Sequence, residues 1–152
     1  MLFRSPCVEQ ARQAGVRLAV ENCTPLHADI TITHSVADTV TLAQLAGIGV
    51  VIDVFAGWTE AGLAQSVARA VPRLCLVQLS DYVYGDRSLP ARAVPGDGAI
   101  PLERIIGWML DAGYTGNFDI ELLGPRIDSE GHVNAAARAI THVGGILTRL
   151  GA

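Results

Sequence analysis

The chain has 152 residues, 11 Lys and Arg against 15 Asp and Glu for a formal charge of −4, and a composition that is 50% hydrophobic. So apolar a chain is not a disordered one, and without a basic surplus or a Lys/Arg run a surface for nucleic acid is not expected. No apolar run reaches the roughly 18 residues of a membrane helix, so the expectation is one ordinary domain, residues 1–152, with a core of its own and no membrane partner.

Near the N-terminus Arg4 is followed by Glu9 and Arg12, which interrupt any apolar stretch of a signal peptide. Ser5 before Pro6 reads as an N-cap with proline at the first helical position, opening a helix over 6–14. A strand follows at 16–21. A long connection, 22–35, leads to a helix over 36–46 that Ser35 caps and Gly47 stops. The apolar run 49–53 is the second strand. A helix over 59–70 and a strand over 74–79 come next, then a second long connection, 80–100. Pro101 opens a helix over 101–112 and Gly113 closes it. Gly113-Tyr-Thr-Gly116 turns the chain into a strand over 118–122. The last helix spans 130–150, with Gly144 and Gly145 as its weak point. Cys7, Cys23 and Cys75, odd in number and widely spaced, read as reduced thiols of a cytoplasmic protein.

Strands alternating with helices imply parallel βα units joined by right-handed crossovers. Four strands make about half of a (β/α)8 barrel, whose full length is about 250 residues; a small open α/β sheet is the other reading. Both long connections leave the C-terminal end of a strand, where parallel sheets carry their sites.

Each strand ends in an oxygen-bearing side chain: Glu21, Asp53, Gln78 with Asp81 close by, and Glu121. In a parallel barrel those ends converge on one mouth. Three carboxylates and an amide oxygen are a hard ligand set, suited to Mg²⁺ or Mn²⁺; Zn²⁺ normally takes more His or Cys. Any one of the four would be unremarked as a helix cap or an arginine partner, but the pattern repeats at every strand. A second signal is the loop Arg92-Ala-Val-Pro-Gly-Asp-Gly98, where proline and glycine build a tight turn. Arg92 carries forked donors that suit an anionic or hydroxyl-rich substrate.

The segments Leu18-Ala-Val-Glu21, Val51-Ile-Asp53, Val77-Gln-Leu-Ser-Asp81, Arg92-x-Val-Pro-Gly-Asp-Gly98 and Asp119-Ile-Glu121-Leu-Leu-Gly resemble the C-terminal half of the sugar phosphate isomerase/epimerase family. These are the xylose isomerase-like TIM barrels, which include ketose 3-epimerases, hydroxypyruvate isomerase, inosose dehydratase and type IV AP endonucleases. The likeness runs from about residue 5 to 150. It implies a divalent metal, Mn²⁺ or Mg²⁺ with Co²⁺ or Zn²⁺ as alternatives, held by Glu21, Asp53, Gln78 and Glu121. Gln in the third place resembles the hydroxypyruvate isomerase variant; His is commoner. The same likeness makes Glu21 and Glu121 the acid/base catalysts of a proton transfer through a cis-enediolate. It also places Arg92 and His27 as substrate contacts; from its place just after Asp53, Trp58 reads as packing or as a wall of the pocket, and Asp81 is a further candidate for substrate. Where several relatives carry a His three residues after the metal Asp, this chain has Ala56. The substrate implied is a sugar, a sugar phosphate or a keto acid.

Two other readings stand beside this one. A non-catalytic half-barrel would need a partner, either a second copy or a missing N-terminal half, because its outer strands and apolar helix faces are left uncovered. A metal-dependent AP endonuclease-like phosphodiesterase would need several His ligands, whereas His27, His34, His132 and His142 lie away from the strand ends. Of the remaining residues, Trp108 reads as packing and Cys23 as a buried, inert thiol. Asp81 would pair with Arg92, bind a hydroxyl or cap its loop. Tyr82 and Tyr84 are candidates for a lid, and Arg126 for a side chain at the mouth.

Overall fold

Alternation of buried and half-exposed residues along the strands decides how this chain packs. The computed structural model describes residues 6–152. Four parallel strands form one sheet in the order β1-β2-β3-β4. They are β1 Ala19–Glu21, β2 Gly49–Asp53, β3 Leu74–Leu79 and β4 Phe118–Ile120. Sequential order with parallel pairing is the arrangement of a barrel wall, and the sheet is open.

Val50 and Ile52 of β2 are 0% and 1% exposed, and Val77 and Leu79 of β3 are both fully buried. They share one core with Val40 from α2 (Val36–Ala46), Val67 from α4 (Leu63–Ala70) and Ile105 and Ile106 from α5 (Leu102–Asp111). Val143 and Ile146 of α7 (His132–Leu150) complete it. Burying an aliphatic side chain this fully is worth about 1.5–3 kcal/mol. The alternate strand positions Val51, Leu76 and Gln78 belong to the opposite face and stay half-exposed. One face of the sheet is therefore roofed by helices and the other is not.

The ends of several elements differ from the sequence expectation, each for a local reason. Helix α1 is Pro6–Gln13; Ser5, its expected cap, and Arg4 lie outside the described residues. Strand β1 starts at Ala19 rather than at 16, because Val16 N–H bonds back to Ala11 C=O and Gly15, at φ 69°, closes the helix. A short helix α3, Val54–Gly57, follows β2 directly, and Asp53 caps it by accepting from Phe55 N–H. Helix α4 starts at Leu63, after Gly62 takes a left-handed conformation at φ 74°. The expected last helix, 130–150, is α7 and starts at His132; a further short helix, α6 Pro125–Glu130, precedes it and is set off by Gly131 with φ 93°. Gly144 and Gly145 remain inside α7.

Among the described residues the outer edges of β1 and β4 have no strand partner. Large apolar side chains lie open as well: Leu26, Ile30 and Ile32 in the connection after β1, and Val133 and Ile140 seven residues apart on α7. No residue of α1 is buried. No helix among the described residues is long and apolar enough to cross a membrane.

Candidate functional site

The C-terminal ends of the strands carry the polar residues of the open face. Glu21 ends β1 and Asp53 ends β2. Gln78 pairs in register with Asp53 on one side and with Asp119 on the other. Glu121 lies just past β4 and still donates its N–H to Leu79 C=O at 3.0 Å. Carboxylate oxygens of Glu21, Asp53 and Glu121 all lie within 4.8 Å of one another. Gln78 shares their level, since residues paired in register on parallel strands leave the sheet on one face. Its Oε1 is buried and accepts no hydrogen bond.

Arg92 lies among these carboxylates. Its Nη1 donates to Asp53 Oδ1 at 3.0 Å and its Nη2 to Asp53 Oδ2 at 2.9 Å, a forked pair. Nη2 is also 3.0 Å from Glu121 Oε2. That oxygen is off the line of the N–H bonds, so it is paired by charge yet accepts no directed hydrogen bond. Nη1 also donates to Ser80 Oγ at 3.0 Å, and the guanidinium carbon stands 4.8 Å from the centre of the Phe55 ring. Arg92 is 9% exposed and Asp53 2%.

Asp81 explains how Arg92 gets there. Its carboxylate accepts backbone N–H groups from Tyr82, Gly96, Gly98 and Ile100 at 2.8–3.0 Å. Its own backbone exchanges two 2.8 Å hydrogen bonds with Ala93, beside Arg92. A Cβ on Gly98 would come within 2.4 Å of Asp81 Oδ1 and of Tyr82 C=O, so only glycine fits there. Asp81 is 1% exposed. Both its oxygens are taken by the loop it folds, as in the capping alternative for this residue.

The other two expected substrate contacts, His27 and Trp58, have partners of their own. His27 ends a 3₁₀ turn, Pro25–His27, with Nδ1 3.2 Å from Cys23 Sγ. Trp58 packs near Tyr82 and Tyr84, with ring centres 6.4 and 6.5 Å away. His34 contacts Cys23 C=O, His132 pairs with exposed Asp128, and the His142 ring covers Gly96. No histidine joins the carboxylate group among the described residues. Arg126 pairs with Asp86 rather than reaching the mouth.

Burial raises the Glu21 carboxyl to about 7; the neighbouring charges of Asp53 and Glu121 add to the rise and Arg92 opposes it. Glu121 is raised too, first by burial, with Arg92 pulling against it. Burial also raises the Cys23 thiol, which keeps it protonated and inert.

Three contributors escape a sequence reading. Asn22, fully buried, clamps the ends of β1 and β2: its Nδ2 donates to Asp53 C=O at 2.9 Å and its Oδ1 accepts from Asp53 N–H at 3.0 Å. Ser80 and Phe55 hold the Arg92 guanidinium. The one signal for Asn22 is an amide directly after a strand-end glutamate.

This site fits a divalent cation. The donors are hard oxygens, three from carboxyl groups and one from an amide. One amide oxygen is buried without a donor, and three carboxyl groups gather beside the single guanidinium of Arg92.

The fold is shared with solved structures. A protein of Sinorhizobium meliloti 1021, SMc04130, is 24% identical with a TM-score of 0.77, over 91% of this chain and 53% of that one. An L-ribulose 3-epimerase is 17% identical with a TM-score of 0.74, over 94% and 51%. A D-psicose 3-epimerase with D-tagatose, from Clostridium cellulolyticum H10, is 17% identical with a TM-score of 0.69, over 94% and 52%. The chain thus spans about half the length of these structures, and its four βα units are half of such a barrel. Comparison with curated proteins gives no match. The family model of the xylose isomerase-like TIM barrel matches residues 5–142, and the chain belongs to that family.

Proposed function

We propose that this chain is the metal-holding half of a divalent-metal-dependent isomerase or epimerase acting on a small sugar, sugar phosphate or keto acid. The reading is carried by the convergence of Glu21, Asp53 and Glu121 within 4.8 Å, beside a buried Gln78 oxygen that lacks a donor. Glu21, Asp53, Gln78 and Glu121 would hold Mn²⁺ or Mg²⁺. When bound, such an ion supplies Lewis acidity toward a carbonyl and an adjacent hydroxyl oxygen.

The chain's own residues do the rest. Glu21 and Glu121, on the outermost strands, would stand on either side of a substrate's α-carbon. For epimerisation one would take the proton from its face and the other return one to the opposite face; for isomerisation a single glutamate would carry the proton to the neighbouring carbon on the same face. General acid/base help of this kind is worth about 10²–10⁴ in rate. Arg92, with His27 and Trp58 on the flanking loops, would orient the substrate's oxygens.

A proton transfer leaves a trace in heavy water. With Mn²⁺ and a panel of ketoses in D₂O, deuterium should enter the carbon beside the carbonyl, read by NMR. Glu121→Gln, in the chain joined to an N-terminal half, should abolish it. Unchanged exchange and metal affinity in that variant would sink the assignment.

A second reading has its own support. The unpaired sheet edges and the open side chains of Leu26, Ile30, Ile32, Val133 and Ile140 favour a half-barrel that works only once covered. The N-terminal half of a longer chain, or a second copy, would cover it.

A further inference from the structure

The guanidinium of Arg92 sits where a cation shared by Asp53 and Glu121 would have to sit. Both Asp53 oxygens are taken by its two terminal nitrogens, and Nη2 stands 2.9 and 3.0 Å from the Asp53 and Glu121 oxygens respectively. A small divalent ion binds carboxylate oxygen at about 2.0–2.6 Å. An ion at that distance from Asp53 Oδ2 and Glu121 Oε2 would overlap Nη2 or face a second positive charge at van der Waals contact. The two cations therefore exclude each other at this place.

We propose that Arg92 is the resident counter-ion of the ligand cluster, and that a divalent ion and the Arg92 guanidinium occupy Asp53 alternately. The inference rests on the metal-site reading above. The arrangement is built for both states. The loop that carries Arg92 is fixed through Asp81 and Ala93, not through the guanidinium, so the head group can leave without unfolding its loop. Its holders are a hydroxyl and an aromatic ring, Ser80 and Phe55, which lose little when it goes. Without metal, the pair keeps Asp53 from being a buried lone charge. With metal, the forked donors are free for another oxygen-rich group.

Two measurements on the whole chain test this. Phenylglyoxal modifies accessible arginines, and peptide mass spectrometry reports each one. In EDTA, Arg92 should react slowly, and saturating Mn²⁺ should raise its rate about tenfold or more, as burial of its head group is relieved. Independently, Arg92→Gln should bind Mn²⁺ at least about tenfold tighter by calorimetry, since a competitor worth about 1.4 kcal/mol or more is gone. Mn²⁺ binding that leaves Arg92 protected, or a variant that binds no tighter, overturns the alternation and leaves the metal site standing. If neither protein binds Mn²⁺, the metal reading and this inference fall together.

Discussion

The two faces of this sheet obey different rules. On the helix side, Val50, Ile52, Val77 and Leu79 are sealed under four helices. On the other side, Val51, Leu76 and Gln78 stay half-exposed, and the strand ends gather carboxylates around one arginine. The roofed face is what a chain needs in order to fold. The open face costs stability, because it holds charge out of water and leaves apolar atoms uncovered. Such an arrangement is retained for chemistry or for a covering partner, not for the fold.

The largest test of that contrast is Asp53→Ala. It takes the forked partner from the Arg92 guanidinium, which is 9% exposed and keeps there only Ser80, the Phe55 ring and a poorly aligned Glu121. Breaking a buried pair from one side costs about 3–5 kcal/mol, so the urea midpoint of the EDTA-treated chain should fall sharply. A loss below about 1 kcal/mol would place the pair in solvent instead. Next comes Ile106→Ala, on the roofed side, which should cost about 2–5 kcal/mol by cavity formation. Its open-face counterpart, Leu76→Ala, should cost less than about 1 kcal/mol, because water already reaches that position. Equal losses would mean that something covers the open face in solution.

Much of this was legible from residue order alone. The βα alternation and strand-end acids follow from periodicity, and every strand was placed to within a few residues. What escaped depends on contacts between distant segments. Val16 looks like strand, yet its N–H closes α1 onto Ala11. Gly131, with a positive φ, sets α7 off from the short α6 before it, whereas Gly144 and Gly145 stay helical, and composition cannot separate these glycines. Arg92 stands out in its loop, but its pairing with Asp53 does not follow from residue order. That contact depends on a loop whose path is set by the hydrogen bonds of Asp81.

A smaller effect separates the carboxylates from one another. Asp53 is paired, but Glu21 is raised from 4.5 to about 7 by burial and like charge. Between those values the folded chain holds a proton that the unfolded chain has lost. Its stability contribution is whole below pH 4.5 and disappears as pH rises through 7. Glu21→Gln should thus match the parent at pH 4.5 and exceed it at pH 8 in EDTA. The gain should be on the order of 1 kcal/mol, since Glu21 is half-exposed and partly screened. Urea midpoints at the two pH values decide it; a variant weaker than the parent at pH 8 would contradict the raised value.

The smallest effect on the chain itself should come from Val133→Ser combined with Ile140→Ser. Both side chains project from α7 into water, 85% and 64% exposed, so nothing within the described residues packs against them closely enough to miss them. Exposed substitutions of this kind change stability by less than about 0.5 kcal/mol. Their value lies in what they do between molecules. A half-barrel that pairs with a copy of itself binds only in the folded state, so its urea midpoint climbs with protein concentration. If α7 forms part of that contact, the parent should show the climb and the double variant should not, while the two agree at high dilution. A parent whose midpoint ignores concentration, with a sedimentation mass of one chain, would leave the N-terminal half of a longer barrel as the cover for this face.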